Sequence, residues 1–98
     1  MKDFHKQMSI KLGTLKNVDK AIQELEELQE NLRDWKILYL SGNENSSDMK
    51  HILDNIQEER IDVSVMMQRL DCIFNFTKQD NKNIAVSKIN RTIERYLV

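Results

Sequence analysis

Two features of this sequence predict an all-α fold. Its 98 residues hold no proline and only two glycines, too few turn-formers for a β-sandwich of this length. Its apolar residues recur at three- and four-residue intervals through long charged segments, the spacing of amphipathic helices. The expected architecture is an antiparallel four-helix bundle in one domain spanning 1–98. Helices are expected at about 17–40, 47–60, 62–78 and 84–97, and residues 3–12 read either as a short extra N-terminal helix or as a frayed terminus. A chain of this size can bury a modest core.

At the N-terminus Phe4, Met8 and Leu12 stand four apart and Leu15 follows, a weak amphipathic pattern. Gly13 is a natural stop, because glycine enters the left-handed conformation without a Cβ penalty. The strongest periodicity lies in Asn17–Leu40. There Val18, Leu25, Leu32 and Tyr39 are seven apart and Ala21, Leu28 and Trp35 interleave, a full heptad seam. The same packing serves an intramolecular bundle, so the seam reads mainly as core. Glu24, Glu26, Glu27 and Glu30 precede Arg33 and Lys36, the order that the helix dipole favours.

Ser41-Gly42-Asn43-Glu44-Asn45 is a helix–helix loop. Ser46 or Ser47 then caps a helix whose narrow apolar face is Met49, Ile52, Leu53 and Ile56. Glu58-Glu59-Arg60 reads as its end, and a sharp turn over Arg60–Asp62 leads into the next helix. Asp62 is read as the N-cap of a central helix, Asp62–Lys78, apolar around most of its girth. Gln79–Asn83 reads as a polar loop. Val86, Ile89, Ile93, Tyr96 and Leu97 then form the buried stripe of a last helix, with Lys88, Arg91 and Arg95 on its wet side.

Charge is unevenly spread. The net of −1 divides into +3 over 1–20, −7 over 21–62 and +3 over 63–98. Two readings account for this, solvated helix faces of opposite sign packing together or a basic end that meets an acidic partner or anionic headgroups, and neither end is basic enough for sequence-specific nucleic-acid binding. Cys72 has no second cysteine to pair with and reads as a small buried hydrophobe in a reducing compartment. Neither a secretory leader nor an apolar run of membrane-spanning length is present, so a cytoplasmic protein is expected.

The residues offer little catalytic chemistry. His5 and His51 stand alone, without the spacing of helical metal ligands. The acid neighbours Glu26-Glu27 and Glu58-Glu59 point about 100° apart on a helix and so do not converge. No glycine-rich phosphate loop exists. Met66-Met67 reads as core filling rather than as a deformable groove. Arg69, on the most apolar helix, is expected to pair with an acid from the −7 segment. No enzyme activity, cofactor, metal site or small-molecule substrate is expected.

The stretch Ile61–Asn83, IDVSVMMQRLDCIFNFTKQDNKN, resembles the immunity proteins that protect Gram-positive producers against pediocin-like (class IIa) bacteriocins. The similarity lies in an apolar helix entered from a short turn, the pair Arg69-Leu70, the stretch Ile73-Phe74-Asn75-Phe76-Thr77 and the polar run Gln79–Asn83. It implies a monomeric cytoplasmic bundle, able to lie at the inner face of the membrane. Its partner would be the mannose-phosphotransferase membrane receptor with bound bacteriocin. By position, the resemblance places partner contacts at Lys78, Asp80, Lys82, Lys88, Arg91 and Arg95. Family members often carry a tail after the last helix, whereas this sequence stops at Val98, at the end of the predicted helix, a departure from the family pattern that puts tail-dependent recognition in question. The alternative is a phage or mobile-element adaptor that binds a cytosolic protein through the Val18–Tyr39 heptad face.

Overall fold

The computed structural model describes residues 2–97; Met1 and Val98, the ends of the domain predicted over 1–98, lie outside them. The chain forms four helices: α1 (Lys2–Leu12), α2 (Thr14–Leu40), α3 (Ser47–Phe74) and α4 (Lys78–Tyr96). No strand occurs among the described residues. The fold is therefore all-α, as the proline-free periodic sequence predicts, but the chain is divided differently from the expectation.

The helix proposed at 3–12 is a full member of the set. Gly13, at φ 80°, is the single residue between α1 and α2. That left-handed value favours glycine, and it lets α2 begin at Thr14 rather than at Asn17. The loop after α2 carries the second positive-φ glycine, Gly42. Ser46 ends it as the N-cap of α3, its Oγ accepting from the Met49 N–H at 3.1 Å.

The sharp turn expected over Arg60–Asp62 is absent, and the helices predicted at 47–60 and 62–78 are one helix, α3. No glycine or proline interrupts this stretch, so nothing opposes continued hydrogen bonding through it. The 28 residues of α3 match the 27 of α2, and the two form a long antiparallel hairpin. Asn17 meets Arg69 near one end, Glu24 and Glu27 meet Glu59 further along, and Leu38 stands by Ile52 near the loop. Ala21, Met49 and Met66 are buried, so Met66 does fill core.

The predicted loop Gln79–Asn83 is helical as well. α3 stops earlier, at Phe74, where Asn75 takes the left-handed conformation at φ 58° and donates its N–H to the Asp71 carbonyl. Thr77 then caps α4, its Oγ1 accepting from the Asp80 N–H at 3.1 Å. Gln79 Nε2 adds a bond to Asn83 Oδ1 at 2.9 Å. A Thr followed three residues later by Asp is a helix-start signature, and it outweighs the polar composition.

α1 packs on α2 and α3, whereas α4 packs on none of the other three helices. All of α4 is exposed. The radius of gyration is 17.2 Å, against about 13 Å for a compact chain of this size; the length of the α2–α3 hairpin and the outward course of α4 both extend the molecule.

Candidate functional site

The hairpin brings together acids that are far apart in sequence. Glu24 and Glu27, three residues apart, share the side of α2 beside α3, and Glu59 of α3 projects between them. One oxygen from each carboxylate lies within 4.8 Å of the others. Asp62, one turn beyond Glu59, is exposed but close enough to act on it electrostatically. This convergence is not expected from the adjacent acid pairs. The neighbour pairs 26–27 and 58–59 do diverge. The informative spacing is i, i+3, Glu24-x-x-Glu27 and Glu59-x-x-Asp62, which places both members of a pair on one helix face. Only the antiparallel register shows that Glu59 meets the Glu24–Glu27 pair.

The site is electrostatically unsettled. Glu24 Oε2 and Glu59 Oε2 are shut off from water and have no hydrogen-bond partner among the described residues. Lys20 Nζ, 3.9 Å from Glu24 Oε1, is the nearby cation. The Glu59 carboxyl is pushed up from 4.5 to about 7, first by burial, then by its hydrogen bond with Glu24, then by the charges of Glu27, Glu24 and Asp62.

A second polar cluster ties α1 to the hairpin. Asn17, with no exposed surface, donates through Nδ2 to the Gly13 carbonyl at 2.7 Å and to the Met8 carbonyl at 3.3 Å. Its Oδ1 accepts from Arg69 Nη1 at 3.4 Å. Arg69 is 4% exposed. It has no acid partner among the described residues, contrary to expectation; its neighbours are Asn17, Met66 Sδ at 3.5 Å and the Phe4 ring, 5.6 Å from the guanidinium carbon. The acids that were to pair with it stand further along the hairpin. His5, also buried, makes a 3.2 Å hydrogen bond to Gln68 Oε1. His51 is exposed and Cys72 half-buried.

The residues predicted as partner contacts all lie on α4. Lys78, Asp80 and Lys82 occupy its first turns rather than a loop. Lys88, Arg91 and Arg95 come together with Thr92 and Tyr96 around one shallow surface depression. None of the six approaches the acid cluster, since α4 packs on neither α2 nor α3. No helix among the described residues is long and apolar enough to cross a membrane. Comparison with family models, with curated proteins and with solved structures gives no match to this chain.

Proposed function

We propose that Glu24, Glu27, Glu59 and Asp62 form a divalent-cation centre through which the protein hydrolyses a phosphoanhydride, in place of the non-enzymatic role expected from the sequence. The observation that carries this reading is the meeting of Glu24 and Glu27 of α2 with Glu59 of α3, with two oxygens closed off from water and unpartnered, and Asp62 one turn beyond Glu59 acting on it electrostatically. Bringing carboxylates together this way is costly unless a proton or a cation lies between them. An all-oxygen donor set suits hard ions such as Mg²⁺ and Mn²⁺. Mg²⁺ is normally held by a few carboxylates and completed by waters and substrate phosphates, which fits three half-buried acids beside an exposed fourth.

A bound cation makes its water a stronger acid and a usable nucleophile. The water oxygen would add to phosphorus, the bridging oxygen would leave with the P–O electron pair, and the water proton would pass to a carboxylate. Nucleoside triphosphates are the natural probes. Calorimetric titration with Mn²⁺ should show saturable binding, and at a hundred times Kd the fold should gain about 2.7 kcal/mol. Glu27→Gln and Glu59→Gln should each abolish that binding and any Mg²⁺-dependent release of phosphate or pyrophosphate. Absence of cation binding, with and without nucleotide, would overturn the reading; binding without turnover would reduce it to a structural ion site.

One observation favours a second reading, the bacteriocin immunity implied by Ile61–Asn83. α4 stands exposed with Lys88, Arg91 and Arg95 gathered on it, a basic face suited to an anionic cytoplasmic leaflet. A sensitive Gram-positive strain expressing the chain should then resist one or two pediocin-like peptides and lose that resistance when all three residues become Glu. Unchanged sensitivity across a broad panel, with abundant folded protein, would remove this reading.

A further inference from the structure

α4 is amphipathic and has nothing to pack on. Val86, Ile89 and Ile93 form its stripe at 48%, 58% and 39% exposure. The hairpin carries a complementary vacancy. The α2 heptad pattern has two rows. Ala21, Leu28 and Trp35 are buried or half-buried, whereas Leu25, Leu32 and Tyr39 of the other row are exposed, as is Ile22 beside it. On α3, Leu53 is exposed alongside half-buried Ile56, Val63 and Met67. Helical spacing in the antiparallel register sets these residues of α2 and α3 on one flank of the hairpin. The acid cluster and α1 occupy the other flank. No other helix of the same copy covers these exposed apolar residues.

Charge and geometry identify the occupant. Residues 78–96 carry five basic and two acidic residues, net +3, whereas residues 14–74 carry seven basic and thirteen acidic, net −6. The joint directs α4 away from its own hairpin. Asn75 is left-handed, the Phe76 N–H donates to the Asp71 carbonyl at 2.9 Å, and Asn81 Nδ2 donates to Asp71 Oδ2 at 3.0 Å. We propose that two copies of this chain dimerise by exchanging α4, each laying its Val86–Ile89–Ile93 stripe on the Ile22, Leu25, Leu32 and Leu53 residues of the other. One docked helix of 19 residues covers a strip about 28 Å by 10 Å. Counted on both faces, two reciprocal strips are needed to approach the about 1,200 Å² of a stable interface, which favours exchange over one-sided docking. Each copy thereby gains a fourth helix against its hairpin.

The test is the mass of the full chain in solution, by light scattering across a concentration series, for wild type, for the pair Ile89→Asp with Ile93→Asp, and for Leu32→Asp. Because α4 is exposed, the first variant leaves the hairpin core untouched, and helical circular dichroism checks that both variants fold. The expected result is a wild-type dimer and at least a hundred-fold weaker self-association in either variant. Cross-linking of mixed light and heavy isotopic copies should join α4 to α2 between unlike copies. A monomer at all concentrations, a dimer indifferent to the α4 substitutions, or α4–α2 cross-links confined to one copy would each overturn the proposal. Cation binding at Glu59 is a separate readout, and its outcome does not affect this one.

Discussion

Replacing Asn17 by alanine is expected to cost about 3 kcal/mol of unfolding free energy and to loosen α1 from the hairpin. The Asn17 side chain on α2 bonds to α1, to the joint and to α3. It holds the Met8 carbonyl of α1, the Gly13 carbonyl at the joint and Arg69 of α3. Alanine removes the bonds to Met8 and Arg69 together and leaves a guanidinium that is 4% exposed with a thioether and an aromatic face for company. A buried polar group left unsatisfied costs about 1–3 kcal/mol, more when charged, and a small domain holds only about 5–15 kcal/mol in total. Urea denaturation measures the loss. Amide hydrogen exchange over residues 2–12 shows whether α1 opens first. A loss under about 1 kcal/mol would mean that α1 is held by its apolar contacts instead.

Glu59→Gln is expected to stabilise the cation-free protein at pH 8 by about 1–2 kcal/mol and to change little at pH 5. The Glu59 carboxyl titrates near 4.5 when unfolded and near 7 when folded, so the folded state holds the proton more tightly. Its favourable contribution is complete below about pH 4.5, declines as pH rises, and is gone above about pH 7. Glutamine keeps a neutral hydrogen-bond donor toward Glu24 at every pH and escapes that decline. One pKa unit is about 1.4 kcal/mol, and solvent screening at the edge of the helix pair reduces the full shift to the smaller figure. Denaturation in the presence of a chelator, from pH 5 to 8.5, measures the difference between wild type and variant. A difference independent of pH would show that burial and the neighbouring acids do not raise the Glu59 carboxyl. With Mn²⁺ added, the wild type should instead gain stability as pH rises, since cation and proton compete for the same oxygens.

Much of the local structure is written in individual residues. Gly13 ends α1, Ser46 caps α3, and the 3–4 spacing of Met49, Ile52 and Ile56 marks an inward face. Elsewhere a signal was present but outweighed by a coarser one. The pair Thr77 and Asp80 announces the start of α4, although Gln79–Asn83 has the composition of a loop. Glu58-Glu59-Arg60 followed by Asp62 looks like a helix end and a new cap, yet no residue there disfavours helix. Whether such a polar stretch breaks depends on what it packs against, and α2 is long enough to support α3 throughout.

The sequence alone determined the helical class, the hairpin loop at 41–46 and the apolar faces. These depend on backbone propensity and periodicity, which act over a few residues. Tertiary structure decided which faces meet. Glu24, Glu27 and Glu59 become one centre only when α2 and α3 pair in register, because residues more than thirty positions apart have no local reason to be neighbours. Arg69 finds an amide rather than an acid because that register sets Asn17 opposite it. The α4 stripe, apolar by its spacing, is left without an internal partner by three residues, Asn75, Phe76 and Thr77, whose geometry sends the helix outward.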